Sequence, residues 1–217
     1  MTSFALVAEG ITDQITLETI LYEHYDSDDA DLDITSVQPL RDATDESRQA
    51  DFGGWEKVFE CCSLEIFKNA LQFNDYVIVH IDTDCSEHTN YGVSLTEGGL
   101  DRDAVDVVRD VIEVLISRIG VDVYGEHKDK IIFAVAVHSI ECWLLPLYTK
   151  TKIGASRTKN CGVHLARAAE KKDLKYIKEY ESIKLLLREF KGRRSITNCQ
   201  THSSSFNYFI NQLPALL

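Results

Sequence analysis

No apolar run in this 217-residue chain approaches the roughly 20 residues that a membrane span requires. The N-terminus has neither the basic region nor the long apolar segment of a secretory signal, so a cytoplasmic location with no membrane contact is expected. Six cysteines are present (Cys61, Cys62, Cys85, Cys142, Cys161, Cys199), but no C-x-x-C pair. That absence removes the spacing of a structural zinc site and leaves reduced, mostly buried thiols as the expectation. Internal repeats and low-complexity segments are also absent. Positive charge is short: 23 Lys and Arg stand against 35 Asp and Glu, a net of −12, which by itself argues against a simple nucleic-acid-binding protein.

The distribution of charge changes that conclusion. Residues 1–146 hold 9 Lys/Arg against 30 Asp/Glu, whereas residues 147–217 hold 14 against 5. Such asymmetry suits a polyanion-binding face beside an acidic centre, because one side holds cations and the other tracks a phosphate backbone. At 44% hydrophobic residues the chain can bury a sizeable core. The boundaries read as an α/β domain over 1–148 and a basic helical extension over 149–217 packed on the same core.

Two short acidic stretches organise the chain. Phe4-Ala5-Leu6-Val7-Ala8 runs into Glu9-Gly10-Ile11-Thr12-Asp13, and Tyr76-Val77-Ile78-Val79-His80-Ile81 runs into Asp82-Thr83-Asp84. Each apolar, β-prone run reads as a buried parallel strand, so Glu9, Asp82 and Asp84 emerge at strand C-termini, where open α/β sheets bind ligands. If strand geometry persists, Asp82 and Asp84 point to one side about 7 Å apart. Three carboxylates in one crevice repel each other unless protonated or bridged by a divalent cation, and oxygen-only ligands suit Mg²⁺ or Mn²⁺. His80, one pleat deeper, reads as a hydrogen-bonded core residue.

In chain order, Thr12 is the expected N-cap of a helix from about Asp13 to Tyr25, which places Asp13 near the same crevice. Asp26–Asp33 reads as a solvated acidic loop, without the Gly and Glu spacing of a calcium loop. A short strand over Ile34–Leu40 and a polar segment to Phe52 follow. Gly53-Gly54 then precedes a long helix, Trp55 to Phe73, with Val58, Phe59, Cys62, Ile66, Ala70 and Phe73 on its buried stripe. After the Asp75–Ile81 strand, Cys85–Gly99 is a polar loop over the crevice, and Leu100–Ile119 a helix. Lys130–Val137 is a further buried strand, and Glu141 lies just beyond it on a short helix capped by Ser139 and stopped at Pro146. Helices are also expected around Leu165–Ala169, over Tyr176–Phe190, and after a Ser203-Ser204-Ser205 cap. Strands alternating with helices give a Rossmann-like α/β fold with a largely parallel sheet.

The strand-terminal Glu9-Gly10-Ile11-Thr12-Asp13, the later Asp82-Thr83-Asp84 and His138-Ser139-Ile140-Glu141 together resemble the Toprim domain. The resemblance covers roughly Ser3 to Leu147 and is closest to small stand-alone Toprim and overcoming-lysogenization-defect (OLD) nucleases of prokaryotic anti-phage defence. It implies a Mg²⁺- or Mn²⁺-dependent endonuclease of one or two ions, with Glu9, Asp82 and Asp84 catalytic. It also implies Glu9, Asp13, Asp82, Asp84 and Glu141 as metal ligands, and an ABC- or SMC-like ATPase as partner. A cation that stabilises the transition state is expected from Lys150, Lys152 or Arg157, and Lys191, Arg193 and Arg194 complete the expected nucleic-acid face. DNA or RNA as substrate, and a homo-oligomeric state, are left open. No Tyr stands in a topoisomerase context and no primase zinc module is present. The alternative is a catalytically silent Toprim-like subunit that binds a partner ATPase or phage component. A receiver-like phosphoacceptor fits poorly, since the strand before His138 ends without the lysine it needs.

Overall fold

A computed structural model describes residues 1–25, 31–40, 54–150 and 152–215. Of the expected acidic loop, residues 26–30 lie outside the described residues, as do Gly53 and the polar segment 41–52. The elements are β1 (Thr2–Val7), α1 (Ile11–Tyr25), β2 (Leu32–Gln38), α2 (Trp55–Ser63), α3 (Glu65–Phe73), β3 (Tyr76–Asp82), β4 (Thr96–Glu97) and β5 (Leu100–Asp101). They continue with α4 (Ala104–Ile119), α5 (Val121–His127), β6 (Ile131–Ala136), α6 (Glu141–Tyr148), α7 (Lys152–Ala155), α8 (Cys161–Glu170), α9 (Tyr180–Leu187), α10 (Gly192–His202) and α11 (Ser204–Ile210).

Four strands form a parallel sheet in the order β2-β1-β3-β6, and β4-β5 is a separate two-residue hairpin. Leu6 lies opposite Ile78, and Ile78 opposite Ile132, so the three apolar runs stack in register. Alternation along the strands feeds two cores. Phe4, Leu6, Ile78, Ile132 and Ala134 pack against α1, α6 and α8–α11, while Ala5, Val7, Val77, Val79 and Phe133 pack against α2, α3 and α4. Helices on both faces of a parallel sheet make a three-layer α/β arrangement compatible with a Rossmann-like fold. The C-terminal helices share the first core with the sheet. No helix among the described residues is long and apolar enough to cross a membrane.

Trp143 of α6 is fully buried, stacked on Phe209 with ring centroids 5.5 Å apart, and its Nε1–H donates to Ser205 Oγ at 2.9 Å. Burying such a ring contributes on the order of 2–3 kcal/mol and fixes α6 against α11. At the outer edge of the sheet, the Gln212 side-chain amide accepts from the Phe133 N–H (3.0 Å) and donates to the Phe133 carbonyl (2.9 Å).

Several boundaries differ from the sequence reading. Gly10, not Thr12, stands at the N-cap position of α1: its carbonyl accepts the N–H groups of Asp13 and Gln14. The helix expected over Trp55–Phe73 breaks at Leu64, which is extended (φ −93°, ψ 163°), and the break rotates the apolar stripe. Phe67, Ala70 and Leu71 are buried, whereas Ile66 and Phe73 are 39% and 80% exposed. α4 starts at Ala104 because the Asp103 carboxylate caps the Val105 N–H at 2.8 Å. Pro146 lies inside α6, with its carbonyl held by the Asn198 amide at 3.0 Å. The helix expected over Tyr176–Phe190 is only Tyr180–Leu187, and α10 was not expected. Ser203 does cap α11, accepting from the Phe206 N–H. Cys142 and Cys161 form a disulfide, Cα–Cα 5.0 Å, because α6 packs on α8; Cys61, Cys62, Cys85 and Cys199 are free thiols.

Candidate functional site

From β1 the chain goes outward to β2, then returns past β1 to β3 on its other side. The C-terminal ends of β1 and β3 therefore flank the point where strand order reverses, the position at which open α/β sheets form a crevice. Glu9 follows β1 and Asp82 ends β3. The two meet directly: Glu9 Oε1 accepts the Asp82 N–H at 2.7 Å. Asp82, 3% exposed, accepts the Ile140 N–H on Oδ1 at 2.9 Å, and its backbone carbonyl takes the Tyr91 hydroxyl at 3.1 Å. These bonds tie β3 to the turn before α6, so the carboxylate is fixed from two sides.

Asp13, in the first turn of α1, is 2% exposed, and its Oδ1 has no hydrogen-bond partner among the described residues. Gly10 makes room for it, since a Cβ there would stand 3.3 Å from Asp13 Oδ2. Glu141 opens α6 and accepts the Tyr176 hydroxyl on Oε1 at 2.5 Å. A cation completes the group. Burial works against the charge of Lys178, but Asp13, Glu141, Asp82 and Glu9 together hold its pKa above the ordinary lysine value.

The carboxylates are not equivalent. Burial and the neighbouring Asp13 push Glu9 up to about 8, against the pull of the Asp82 N–H. Burial holds Asp13 up at about 6 although Lys178 draws it down. Asp82 is raised well above the usual range by burial and by the charges of Asp13, Glu9 and Glu141. Burial also raises Glu141, but Lys178 and the hydroxyls of Ser139 and Tyr176 outweigh it and leave Glu141 below its ordinary value. Carboxyls pushed apart in this way divide into one that stays ionised and others that hold protons near neutrality.

Asp84 departs from the expected geometry. β3 pairs with β6 only as far as Asp82 opposite Ala136, and the chain then turns, so period-two alternation ends one residue too early. Asp84 is exposed, yet close enough that its charge raises the carboxyl pKa of both Glu9 and Asp13. His80 is fully buried, edge-on to Trp143, and among the described residues neither ring nitrogen has the hydrogen bond expected of it. Burial and Lys178 lower its pKa to about 3, so the 3.5 Å approach of Nε2 to Asp82 Oδ1 is not an ion pair. The loop after β3 is anchored: Glu87 accepts the Leu95 N–H, and the His88 ring packs on Trp55.

The basic residues fall in different places. Lys150, Lys152 and Arg157 are exposed between α6 and α8; among the described residues, Lys178 is a cation whose charge the carboxylates feel. Lys191, Arg193 and Arg194 stand at the start of α10, where the Gly192 N–H donates to Glu23 and Arg193 lowers the pKa of His24, which burial already depresses. That is the last turn of α1, about 16 Å along the helix from Asp13 at 1.5 Å per residue. Sequence reasoning missed Tyr176 and Lys178 because it placed Tyr176 in a helix, whereas residues 174–179 are irregular. Two open grooves of about 590 and 420 Å³ lie elsewhere, one along β5 and the start of α4, the other between α4 and α11.

Asp13 Oδ1 has no hydrogen-bond partner among the described residues, and the all-oxygen donor chemistry suits Mg²⁺ or Mn²⁺. The arrangement as it stands does not: among the described residues no group of three or more His, Cys, Asp or Glu side chains is set to hold a metal ion. No protein-family model, curated protein or solved structure matches the chain.

Proposed function

We propose that the chain is a Mg²⁺- or Mn²⁺-dependent nuclease of Toprim type, hydrolysing phosphodiester bonds of DNA or RNA. We assign it the role of effector in an anti-phage defence system with an ABC- or SMC-like ATPase partner, on the strength of the resemblance alone. The observation that carries the nuclease reading is the meeting of Glu9 and Asp82 at the β1/β3 switch point, with Asp13 and Glu141 buried beside them. A fold built only for stability has no use for four mutually repelling carboxylates at one end of its sheet, three of them buried. Divalent ions are the partners such oxygen sets take, and they are also what a phosphodiester needs at its charged oxygens. The reading requires Glu9, Asp13, Asp82 and Glu141, with Asp84 at the rim, to close up from their present positions.

A second reading, the catalytically silent Toprim-like subunit, is favoured by one observation: Lys178 and Tyr176 already answer the charge of the cluster from within the chain. Incubation of plasmid DNA and of total transfer RNA with the purified chain and Mn²⁺ separates the two. The nuclease reading expects cleavage that Glu9→Gln and Asp82→Asn abolish. Intact substrates under all conditions, or cleavage insensitive to both substitutions, support the silent subunit.

A further inference from the structure

Beside the carboxylates, the loop after β3 and the start of α2 build a stack of rings. Trp55 opens α2, and its ring centroid lies 5.4 Å from those of Phe59 and Tyr91 and 5.3 Å from that of His88. Phe59 meets Tyr91 edge-on at 5.1 Å. The inner pair is closed off, with Phe59 6% and Tyr91 2% exposed, whereas Trp55 is half-buried and His88 exposed. Phe59 and Tyr91 are therefore core, and Trp55 and His88 are the rings that reach solvent.

Two hydrogen bonds join this stack to the candidate site. The Tyr91 hydroxyl donates to the Asp82 carbonyl at 3.1 Å, and the N–H of Gly54, the residue before Trp55, donates to the Glu9 carbonyl at 2.8 Å. The loop that carries His88 is held by its own backbone: the His88 N–H bonds the Cys85 carbonyl, the Gly92 N–H that of His88, and the Val93 N–H that of Ser86. The Asn90 N–H, on His88 Nδ1 at 3.2 Å, fixes the imidazole against Trp55. Arg118 of α4 adds a cation. It lies 4.9 Å over the Phe59 ring, donates to the Asn90 carbonyl at 3.1 Å, and is exposed. Anchored rings beside an exposed guanidinium suit an unpaired strand, which offers a flat face on every base and a charge on every phosphate. A duplex cannot use such rings, because its bases already stack on one another.

We propose that Trp55 and His88 form a stacking platform for an unpaired nucleobase, with Arg118 on an adjoining phosphate, so that the carboxylate site takes single-stranded DNA or RNA. The platform rests on the nucleic-acid part of the nuclease reading. It needs neither a bound metal ion nor a movement of the chain.

Fluorescence titration with oligothymidylate and oligouridylate, and with each annealed to its oligoadenylate complement, tests this with no divalent ion added. The chain has two tryptophans, and Trp143 is fully buried against Phe209, so a stacked base quenches only Trp55. The single strands are expected to quench emission and to bind at least about tenfold more tightly than the duplexes, the scale of one base–aromatic stack. His88→Ala should weaken single-strand binding by about the same factor, and Trp55→Phe should keep most of the affinity while losing the quench. Arg118→Gln should reduce the slope of log affinity against log salt by about 0.7, one phosphate contact on a single strand. Phe73→Ala, which removes a ring 80% exposed on α3, should change nothing.

Absence of quenching, equal affinity for duplex and single strand, or single-strand affinity that His88→Ala leaves intact overturns the platform. Should plasmid or transfer RNA still be cut in a Glu9-dependent way, the platform falls alone and the nuclease reading stands. Quenching with His88-dependent affinity but no cleavage keeps the platform and removes the nuclease reading. His88 is exposed and Trp55→Phe keeps a ring in place, so both variants are expected to fold.

Discussion

Two aspartates flank β3, and their surroundings are opposite. Asp75, just before the strand, is exposed and accepts both the N–H and the hydroxyl of Ser3 at 2.9 Å; these bonds hold its carboxyl below the ordinary range. Asp82, at the other end, is buried among Asp13, Glu9 and Glu141 and raised well above that range. At one end the fold supplies donors to a negative charge and uses it to stitch β1 to β3. At the other it gathers negative charges faster than it supplies donors. Seven residues of one strand thus separate a carboxylate that stabilises the fold from one the fold must accommodate, and the second kind is a candidate for a functional site.

The widest gap between the two ends should appear in activity. Asp82→Asn is expected to lower Mn²⁺-dependent cleavage by about a hundredfold or more, the upper end of losses seen even for groups one layer outside a metal. Asp75→Asn should leave cleavage unchanged, and equal losses at both positions would dissolve the contrast.

Next in size is the pH dependence of metal-free stability, read from denaturant unfolding between pH 4 and 9. Glu9 rises from 4.5 to about 8 on folding and Asp13 from 3.8 to about 6, so between these values the folded state binds more protons than the unfolded one. Their contribution is fully present below pH 4 and is lost as pH rises toward 8, on the order of a few kcal/mol in total. Glu9→Gln should flatten that fall, and an unchanged slope would mean that Glu9 is not held protonated. Asp75 works in the other direction: its pKa is lowered, so its contribution is present above about pH 4 and fades as pH drops through the folded value. The smallest effect is Asp75→Ala, expected to cost roughly 1 kcal/mol or less because both hydrogen bonds are exposed to water. A cost as large as that of a buried core truncation would sink this assignment.

The parallel sheet was legible because Phe4–Ala8, Tyr76–Ile81 and Ile131–Val137 are apolar runs of strand length. Glu9 and Asp82 were legible because they follow such runs directly. Asp84 was misplaced because a period of two holds only while the strand has a neighbour to pair with, and β6 ends at Ala136. The break at Leu64 left no mark in composition, since a helical stripe counted across it looks continuous. Lys178 and Tyr176 were invisible for a different reason. An irregular segment has no periodicity, and its meeting with Glu141, 35 residues earlier, is fixed by how α8 and α9 pack.

Gln212 has a consequence for how the molecule meets others. β6 is a border strand, and a border strand presents unpaired donors and acceptors to which another chain can adhere. By closing on the N–H and carbonyl of Phe133, one amide side chain imitates the neighbour that is missing. The sheet is thereby discouraged from recruiting a stranger along that margin.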